Sequence, residues 1–165
     1  MNLNQSQLIA FEVFGNPKGQ PRPKAFARKF GNGQVMARVY TPGTAEEWKS
    51  QIAVAAKEFI PFIPLKGPIR VDIEFRFSRP KSHYLTRGIR PDAPFWHTSK
   101  PDRDNCEKAV LDALTILGMW DDDAQVCCGE VRKVYNDNPG AQIMITPLVN
   151  QEQEKPNGKQ KVMAF

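Results

Sequence analysis

Long apolar runs are missing from this 165-residue chain, and none approaches the ~18 consecutive apolar residues that a membrane span requires. The first residues, 1–7, carry neither a basic segment nor a long apolar stretch, so we expect no secretory signal. Cysteine is also scarce, because Cys106, Cys127 and Cys128 are too few and too odd in number for a disulfide framework. These absences predict a chain that works in a reducing, cytoplasmic setting without a membrane partner.

Two motifs are also missing, and each removes a class of binding site. The cysteines form no C-x₂₋₄-C pair, which argues against a zinc site. No glycine-rich loop has P-loop or Rossmann spacing, which argues against a nucleotide pocket of those types. The composition that remains is ordinary for a globular protein, with 41% hydrophobic and 25% charged residues and a net charge of +5. That balance predicts a folded domain with an anionic partner.

Hydrophobic periodicity predicts a single small α/β (α+β) domain over residues 1–149, followed by a polar tail over 150–165. Strict alternation over 69–77 predicts a strand with one buried face. Thr44 and Glu47 form a capping box for a first helix. The predicted elements are strands over 8–14, 26–30, 35–40, 69–77, 125–135 and 142–147, and helices over 44–60 and 105–117. Their order predicts a mixed β-sheet with two main helices packed on it.

Acidic residues are concentrated around the second predicted helix. Asp102 and Asp104 stand at its entry, where an extended backbone projects both side chains to one side. Lys108 and Asp112 are four residues apart within it, and residues 121–123 are three consecutive aspartates after it. Paired exposed carboxylates are ligands that Mg²⁺ or Mn²⁺ prefers, and a nearby lysine can neutralise charge developing on a phosphate. The pattern indicates metal-dependent phosphoryl transfer or hydrolysis, while the same acids would also simply complement a helix dipole.

This segment resembles the signature of RusA-type Holliday junction resolvases. The resemblance rests on Asp-x-Asp-Asn at 102–105, the lysine at 108, Leu-Asp-Ala-Leu at 111–114 and Trp-x-Asp-Asp-Ala-Gln-Val at 120–126. Weaker similarity extends to 79–84, 97–98 and the basic loop at 17–24. Cys106 departs from the pattern, where leucine is expected, and Asp121 is an additional acid. Members of the family are small, dimeric, Mg²⁺-dependent endonucleases of phages and prophages.

The resemblance implies a set of site residues. The metal-binding and catalytic aspartates fall on Asp102, Asp104 and Asp123, with Asp122 as a further candidate ligand, and the catalytic lysine falls on Lys108. Asn105 and Asp112 match the pattern as supporting residues around that site. His97 is a further supporting candidate because it lies five residues before Asp102.

The reaction that the resemblance implies is hydrolysis of DNA phosphodiesters to 5′-phosphate and 3′-hydroxyl ends, with Mg²⁺ as cofactor or Mn²⁺ in its place. A homodimer would make paired symmetric nicks in a four-way junction or other branched DNA, since its twofold axis matches that of the substrate. Such an enzyme would act in DNA recombination and repair, in the cytoplasm of a bacterial or phage-infected cell.

Basic residues flank the acidic centre. Residues 17–38 hold six bases and no acid, and residues 79–103 hold six bases and two acids. Residues 102–130, by contrast, hold eight acids and two bases, so the rest of the chain carries a net charge of +11. We expect the bases to hold backbone phosphates while the acids hold metal. The DNA-binding candidates are Lys18, Arg22, Lys24, Arg79, Lys81, Lys100 and Arg103.

Residues 79–101 show no periodicity, and a stretch of this length inside a compact domain is usually functional or mobile. Its aromatic residues Tyr84, Phe95 and Trp96 suit either stacking on unpaired bases or packing on the core. We expect them to pin the loop to the core, because aromatic side chains bury large apolar areas.

Two alternatives to a resolvase stay open at this point. An Asp-x-Asp nucleotidyl- or glycosyl-transferase would also use Mg²⁺ but would want a nucleotide pocket. A non-catalytic phage DNA-binding protein would use the basic loops alone, and its function would be indifferent to Mg²⁺.

Overall fold

The computed structural model describes residues 8–21, 24–40 and 45–149. The strands are β1 (Ile9–Phe14), β2 (Lys24–Lys29), β3 (Val35–Tyr40), β4 (Ile69–Phe77), β5 (Tyr84–Leu85), β6 (Gly88–Ile89), β7 (Val126–Cys128), β8 (Val131–Tyr135) and β9 (Gly140–Pro147). The helices are α1 (Glu46–Ala56) and α2 (Arg103–Ile116), with short 3-10 turns at Lys57–Phe59, Lys81–His83 and Asp123–Gln125. The predicted tail over 150–165, and so the domain boundary, lies outside the described residues, as do Arg22 and Thr44.

A mixed sheet forms the centre of the domain, with β4 in the middle. On one side β9 pairs antiparallel with β4, and β1 pairs antiparallel with β9. On the other side β7 and β8 both run parallel to β4, placing Val131 beside Ile73. The hairpin β2–β3 and the short hairpin β5–β6 are separate two-stranded sheets. The mixed sheet and its two helices confirm the predicted α+β class.

Both helices pack on one face of this sheet. The alternation predicted for β4 is confirmed, because Ile69, Phe75 and the other apolar residues between them are buried while the intervening polar residues are half-exposed. Trp48 and Ile52 of α1, and Val110 with Leu114 of α2, belong to the same buried cluster. Burial of this one continuous face therefore fixes where α2, the helix with the acidic entry, lies on the sheet.

The predicted strand over 125–135 is wrong in one respect, because it is broken into β7 and β8 at Gly129. Gly129 has φ +150, and a Cβ built on it would lie 1.7 Å from the carbonyl oxygen of Val71. This close approach of two backbones admits only glycine, and it ends β7 before β8 resumes the parallel pairing with β4.

Three further predictions need correction. The capping residue of α1 is Ala45, with no side-chain hydrogen bond, and α2 begins at Arg103 rather than at Asn105. Residues 79–101 are not structureless, since they contain a 3-10 turn, the β5–β6 hairpin and an antiparallel bridge between Trp96 and Val134. In the described ranges, no helix has the length and apolar character to cross a bilayer.

Candidate active site

The acidic entry of α2 is exposed and begins in extended backbone. Asp102 is the N-cap residue with φ −66 and ψ 148, and its carbonyl oxygen accepts the first helical hydrogen bond, from the Cys106 amide at 3.1 Å. Asp104 follows in the first turn, where its Oδ1 accepts from the Asn105 amide at 2.9 Å. Both carboxylates act on the buried Cys106 thiol, whose pKa is raised to about 11 chiefly by burial. Asp102 and Asp104 therefore lie together at the positive end of the helix dipole.

Lys108 continues this acidic row along α2. Because residues four apart share one helix face, Asp104, Lys108 and Asp112 lie in line. The Lys108 ammonium bonds to Asp112 at 3.0 Å, and Lys49 of α1 lies 3.8 Å from the other oxygen of the same carboxylate. The hydrogen bond that Lys108 donates to Asp112, then the charge of Asp112, then the charge of Asp123 raise the pKa of Lys108. The ion pair with Asp112 thus favours the ammonium form of Lys108, which is suited to stabilising negative charge.

The three consecutive aspartates have three different environments. Asp121 forms an ion pair with Lys66. Asp122 caps the 3-10 turn that follows it, with its Oδ1 accepting from the Ala124 amide at 2.8 Å. Asp123 is exposed, and its charge acts on Lys108 across the gap between the turn and α2. The carboxylates of Asp121 and Asp122 thus have roles in local structure that Asp123 does not share.

Buried anchors bring this turn back beside α2. The Trp120 side chain is 1% exposed, and its indole Nε1 donates to Thr115 Oγ1 at 2.7 Å. Gln125 accepts from the amides of Asp121 and Asp122, and its Nε2 donates to the Leu65 carbonyl at 3.0 Å. The buried indole of Trp120 before the aspartates and the hydrogen-bonded side-chain amide of Gln125 after them therefore hold the turn that contains Asp123 beside α2.

Lys133 supports the entry of α2, and the sequence reasoning missed it. Its ammonium donates to the carbonyls of Ser99 and Pro101, at 2.7 and 2.5 Å, just before Asp102. Lys133 reaches them because it stands beside Phe75 in the sheet register, on the face that α2 covers. One signal in the sequence could have found Lys133. It stands between Val131 and Tyr135 at alternating positions of one strand, and all three face inward.

The basic loop before β2 lies against the same helix entry. The Gln20 amide donates to the Asn105 carbonyl at 2.8 Å, and a Cβ built on Gly19 would lie 2.9 Å from Cβ of Pro101. Lys18, in this loop, is exposed. The structure therefore places the first basic segment against Pro101 and Asn105, on either side of Asp102 in the chain.

The other predicted DNA-binding residues are spread around this entry. Arg79 is tied down, with Nη1 donating to the Pro94 carbonyl at 2.9 Å and its guanidinium 5.8 Å from the Tyr135 ring. Arg103 Nη1 lies 3.5 Å from the Val131 carbonyl. Lys81 and Lys100 are exposed, and Lys24 lies on β2. Among the predicted residues, Lys100 and Arg103 adjoin Asp102 in the chain. Lys18 directly precedes Gly19, which packs against Pro101.

His97 is held by aromatic packing. Its ring stacks on Phe77 with centroids 3.9 Å apart and meets the Tyr135 ring edge-on at 4.8 Å. Burial, and then the charge of Lys133, lower the pKa of His97. Its contacts in the described part of the chain are with these rings and with Lys133, which gives His97 a packing role behind the helix entry.

Asp102, Asp104 and Asp123 are exposed, and their carboxylates are of the hard-oxygen type that Mg²⁺ prefers. Within residues 8–21, 24–40 and 45–149, no three His, Cys, Asp or Glu side chains converge into a ready-made ligand cage. Mg²⁺ keeps several waters and binds through one or two carboxylates. The open edge formed by Asp102, Asp104 and Asp123, called the acidic edge below, therefore fits the ion.

Comparisons with known proteins find a matching family model and similar relatives. The family model described as Endodeoxyribonuclease RusA matches residues 15–146. The chain is 34% identical over 140 residues to uncharacterized protein YqaN of Bacillus subtilis (strain 168), covering 83% of this chain and 94% of that protein. It is 38% identical over 53 residues to crossover junction endodeoxyribonuclease rusA of Lactococcus phage r1t, covering 32% of this chain and 40% of that protein.

Proposed function

Because the chain belongs to the RusA family of endodeoxyribonucleases, we propose that it is a Mg²⁺-dependent enzyme that resolves four-way DNA junctions. One observation carries the proposal: the Lys108 ammonium is ion-paired with Asp112 at 3.0 Å, in line with Asp104 at the helix entry. An ammonium fixed on the same helix face as exposed carboxylates is suited to phosphodiester hydrolysis, because it can stabilise charge on a phosphate beside a bound metal.

Asp102, Asp104 and Asp123 would hold the metal, and Mn²⁺ would substitute for Mg²⁺ at the same oxygen ligands. Asp122 is the weaker candidate, because its carboxylate already caps the 3-10 turn. When bound, the ion supplies Lewis acidity and an activated water. Asn105 supports this set through its carbonyl, which fixes the Gln20 loop.

Lys108 would stabilise the negative charge that develops on the scissile phosphate. Asp112 holds the ammonium in place at 3.0 Å, and Lys49 shares that carboxylate. The ion pair with Asp112 raises the pKa of Lys108, which favours a role as a fixed charge.

DNA would approach from the side where the basic loops adjoin the acidic edge. Lys18 stands in the loop bonded to Asn105, and Lys100 and Arg103 flank Asp102 in the chain. A homodimer of this chain would present two such sites and nick two opposing strands symmetrically, leaving 5′-phosphate and 3′-hydroxyl ends. Such a reaction serves DNA recombination and repair.

The test is cleavage of a synthetic four-way junction, labelled in turn on each strand, with Mg²⁺ or with EDTA. We expect symmetric nicks that a DNA ligase reseals, and their loss in EDTA. Asp104→Asn is expected to lower the cleavage rate by at least about a hundredfold while junction binding persists, since an amide is a poor Mg²⁺ ligand.

Asp121→Asn is the matched control, because the Asp121 carboxylate pairs with Lys66. We expect this variant to cleave at close to the wild-type rate. Junction binding without any nicking would support a non-catalytic DNA-binding protein instead. Equal nicking by wild type and Asp104→Asn would refute the assignment of the site.

A further inference from the structure

Two aromatic side chains stand exposed in the segment that leads to Asp102. Phe95 is 55% exposed and Trp96 is 56% exposed, and their rings meet edge-on with centroids 5.0 Å apart. The expectation that these residues pin the loop to the core is therefore wrong for their side chains. Large apolar rings left in water by a folded domain commonly mark a binding surface.

The backbone, and not the rings, holds this pair in place. The Tyr135 amide donates to the Phe95 carbonyl at 2.9 Å, and the His97 amide donates to the Lys133 carbonyl at 3.0 Å. These two bonds flank Trp96 and Val134, which therefore form an antiparallel pair of the non-hydrogen-bonded type. In this type of pair the side chains approach each other most closely. The backbone of Trp96 is thus fixed beside a buried valine while its side chain is 56% exposed, so the ring is presented to solvent from an ordered position.

The aromatic pair lies near the proposed catalytic edge. Arg103, the first residue of α2, reaches the carbonyl of Val131, and Trp96 pairs with Val134 three residues further along β8. At about 3.3 Å per residue the separation along the strand is about 10 Å. The strand that contacts the first residue of α2 therefore also carries the pairing partner of Trp96.

The surroundings favour a nucleic-acid base as the occupant. The segment 79–103 carries six bases against two acids, so it attracts a polyanion. Arg79 bonds to the carbonyl of Pro94, directly before the pair. An aromatic face next to cationic side chains is the arrangement that stacks bases of single-stranded nucleic acid without reading their sequence. Tyr84 is less suited, because its hydroxyl is engaged by Asp137 at 2.6 Å.

We propose that Phe95 and Trp96 form a stacking platform for a base that is unstacked at the branch point of the junction. This inference rests on the proposed function, which supplies the branched DNA. At a branch point the continuous stack of a duplex is interrupted, so a base face is available that linear duplex does not offer. The platform would therefore favour branched over linear DNA.

The chain carries its own reporter for this contact. It has three tryptophans, and Trp48 and Trp120 are each 1% exposed, so acrylamide quenching of the folded protein reports on Trp96. With metal removed so that no strand is cut, a labelled four-way junction and a linear duplex of equal length are titrated by anisotropy. We expect junction binding to quench Trp96 emission and to shield it from acrylamide.

Trp96→Ala is expected to weaken junction binding about tenfold, with a much smaller effect on duplex binding. Trp96→Phe keeps an aromatic face and is expected to retain most of the affinity, which separates stacking from a folding defect. Phe62→Ala is the matched control, because Phe62 is a fully exposed aromatic outside this segment, and we expect no change.

The platform is refuted if Trp96 stays open to acrylamide in the complex, or if Trp96→Ala binds the junction as wild type does. It is also refuted if that variant loses junction and duplex binding equally. In each of these cases Mg²⁺-dependent junction cleavage by the wild type leaves the proposed function standing. Failure of the wild type to bind or cut any junction instead overturns the proposed function, and this inference with it.

Discussion

Removing the ammonium of Lys133 tests whether the helix entry is positioned from the sheet. In Lys133→Met the carbonyls of Ser99 and Pro101 lose their donor, at 2.7 and 2.5 Å, while the apolar stem keeps its packing. A hydrogen bond to a charged group contributes about 1.5–3 kcal/mol, and these carbonyls stay within reach of water. We therefore expect a total loss of about 2 kcal/mol in the free energy of unfolding.

For a chain of this size, that loss lowers the melting temperature by about 4–8 °C, measured by circular dichroism. Because Asp102 directly follows Pro101, we also expect cleavage to fall about ten- to a hundredfold, as a misplaced ligand raises the barrier. The charge of Lys133 lowers the pKa of His97, so its removal is expected to raise that pKa, measured by NMR titration.

Arg132→Met is the control on the adjacent residue. Arg132 lies on the opposite face of the sheet, where it pairs with Glu74 at 2.8 Å and is 56% exposed. An exposed ion pair contributes about 0–1 kcal/mol, so little change is expected. If Lys133→Met melted and cleaved like Arg132→Met, the role assigned to Lys133 would be wrong.

Three other predictions follow from single contacts. Asp112→Asn removes the group that raises the pKa of Lys108, so NMR titration of the Lys108 ε-methylene should give a lower pKa than in wild type, and an unchanged value would contradict the pairing. Under native conditions a thiol reagent should modify Cys127 and Cys128, which are exposed, and spare Cys106, which is buried with a pKa of about 11; modification of all three before unfolding would contradict that burial. Gly129→Ala should prevent stable folding or lower the melting temperature by more than 10 °C, or roughly 3 kcal/mol or more, because its Cβ would overlap the Val71 carbonyl; a normal melting curve would refute the backbone contact.

The row of charged residues at the start of α2 is the part of the site that the sequence alone can predict. Asp102, Asp104, Lys108 and Asp112 are close in the chain, and helical geometry alone places the last three in line. Likewise, the alternation over β4 predicts its buried face, because strand periodicity is local. These features depend on neighbours within a few residues, so local rules suffice.

The contacts between distant segments could not be predicted in this way. Lys133 meets Ser99 and Pro101 from a strand more than thirty residues later in the chain, through the parallel pairing of β8 with β4. The break at Gly129 likewise depends on the approach of Val71. Neither partner is visible to a rule that works within one element.

The sequence by itself determined the chemistry of this protein: the carboxylates, the lysine on their helix and the basic segments on either side. Tertiary structure decided which of these residues act together. It committed Asp121 to Lys66 and Asp122 to a helix cap, placed the turn that holds Asp123 beside α2, and left Phe95 and Trp96 facing water. The physical reason is that side-chain identity is local, whereas burial, pairing and charge environment are set by segments that only folding brings into contact.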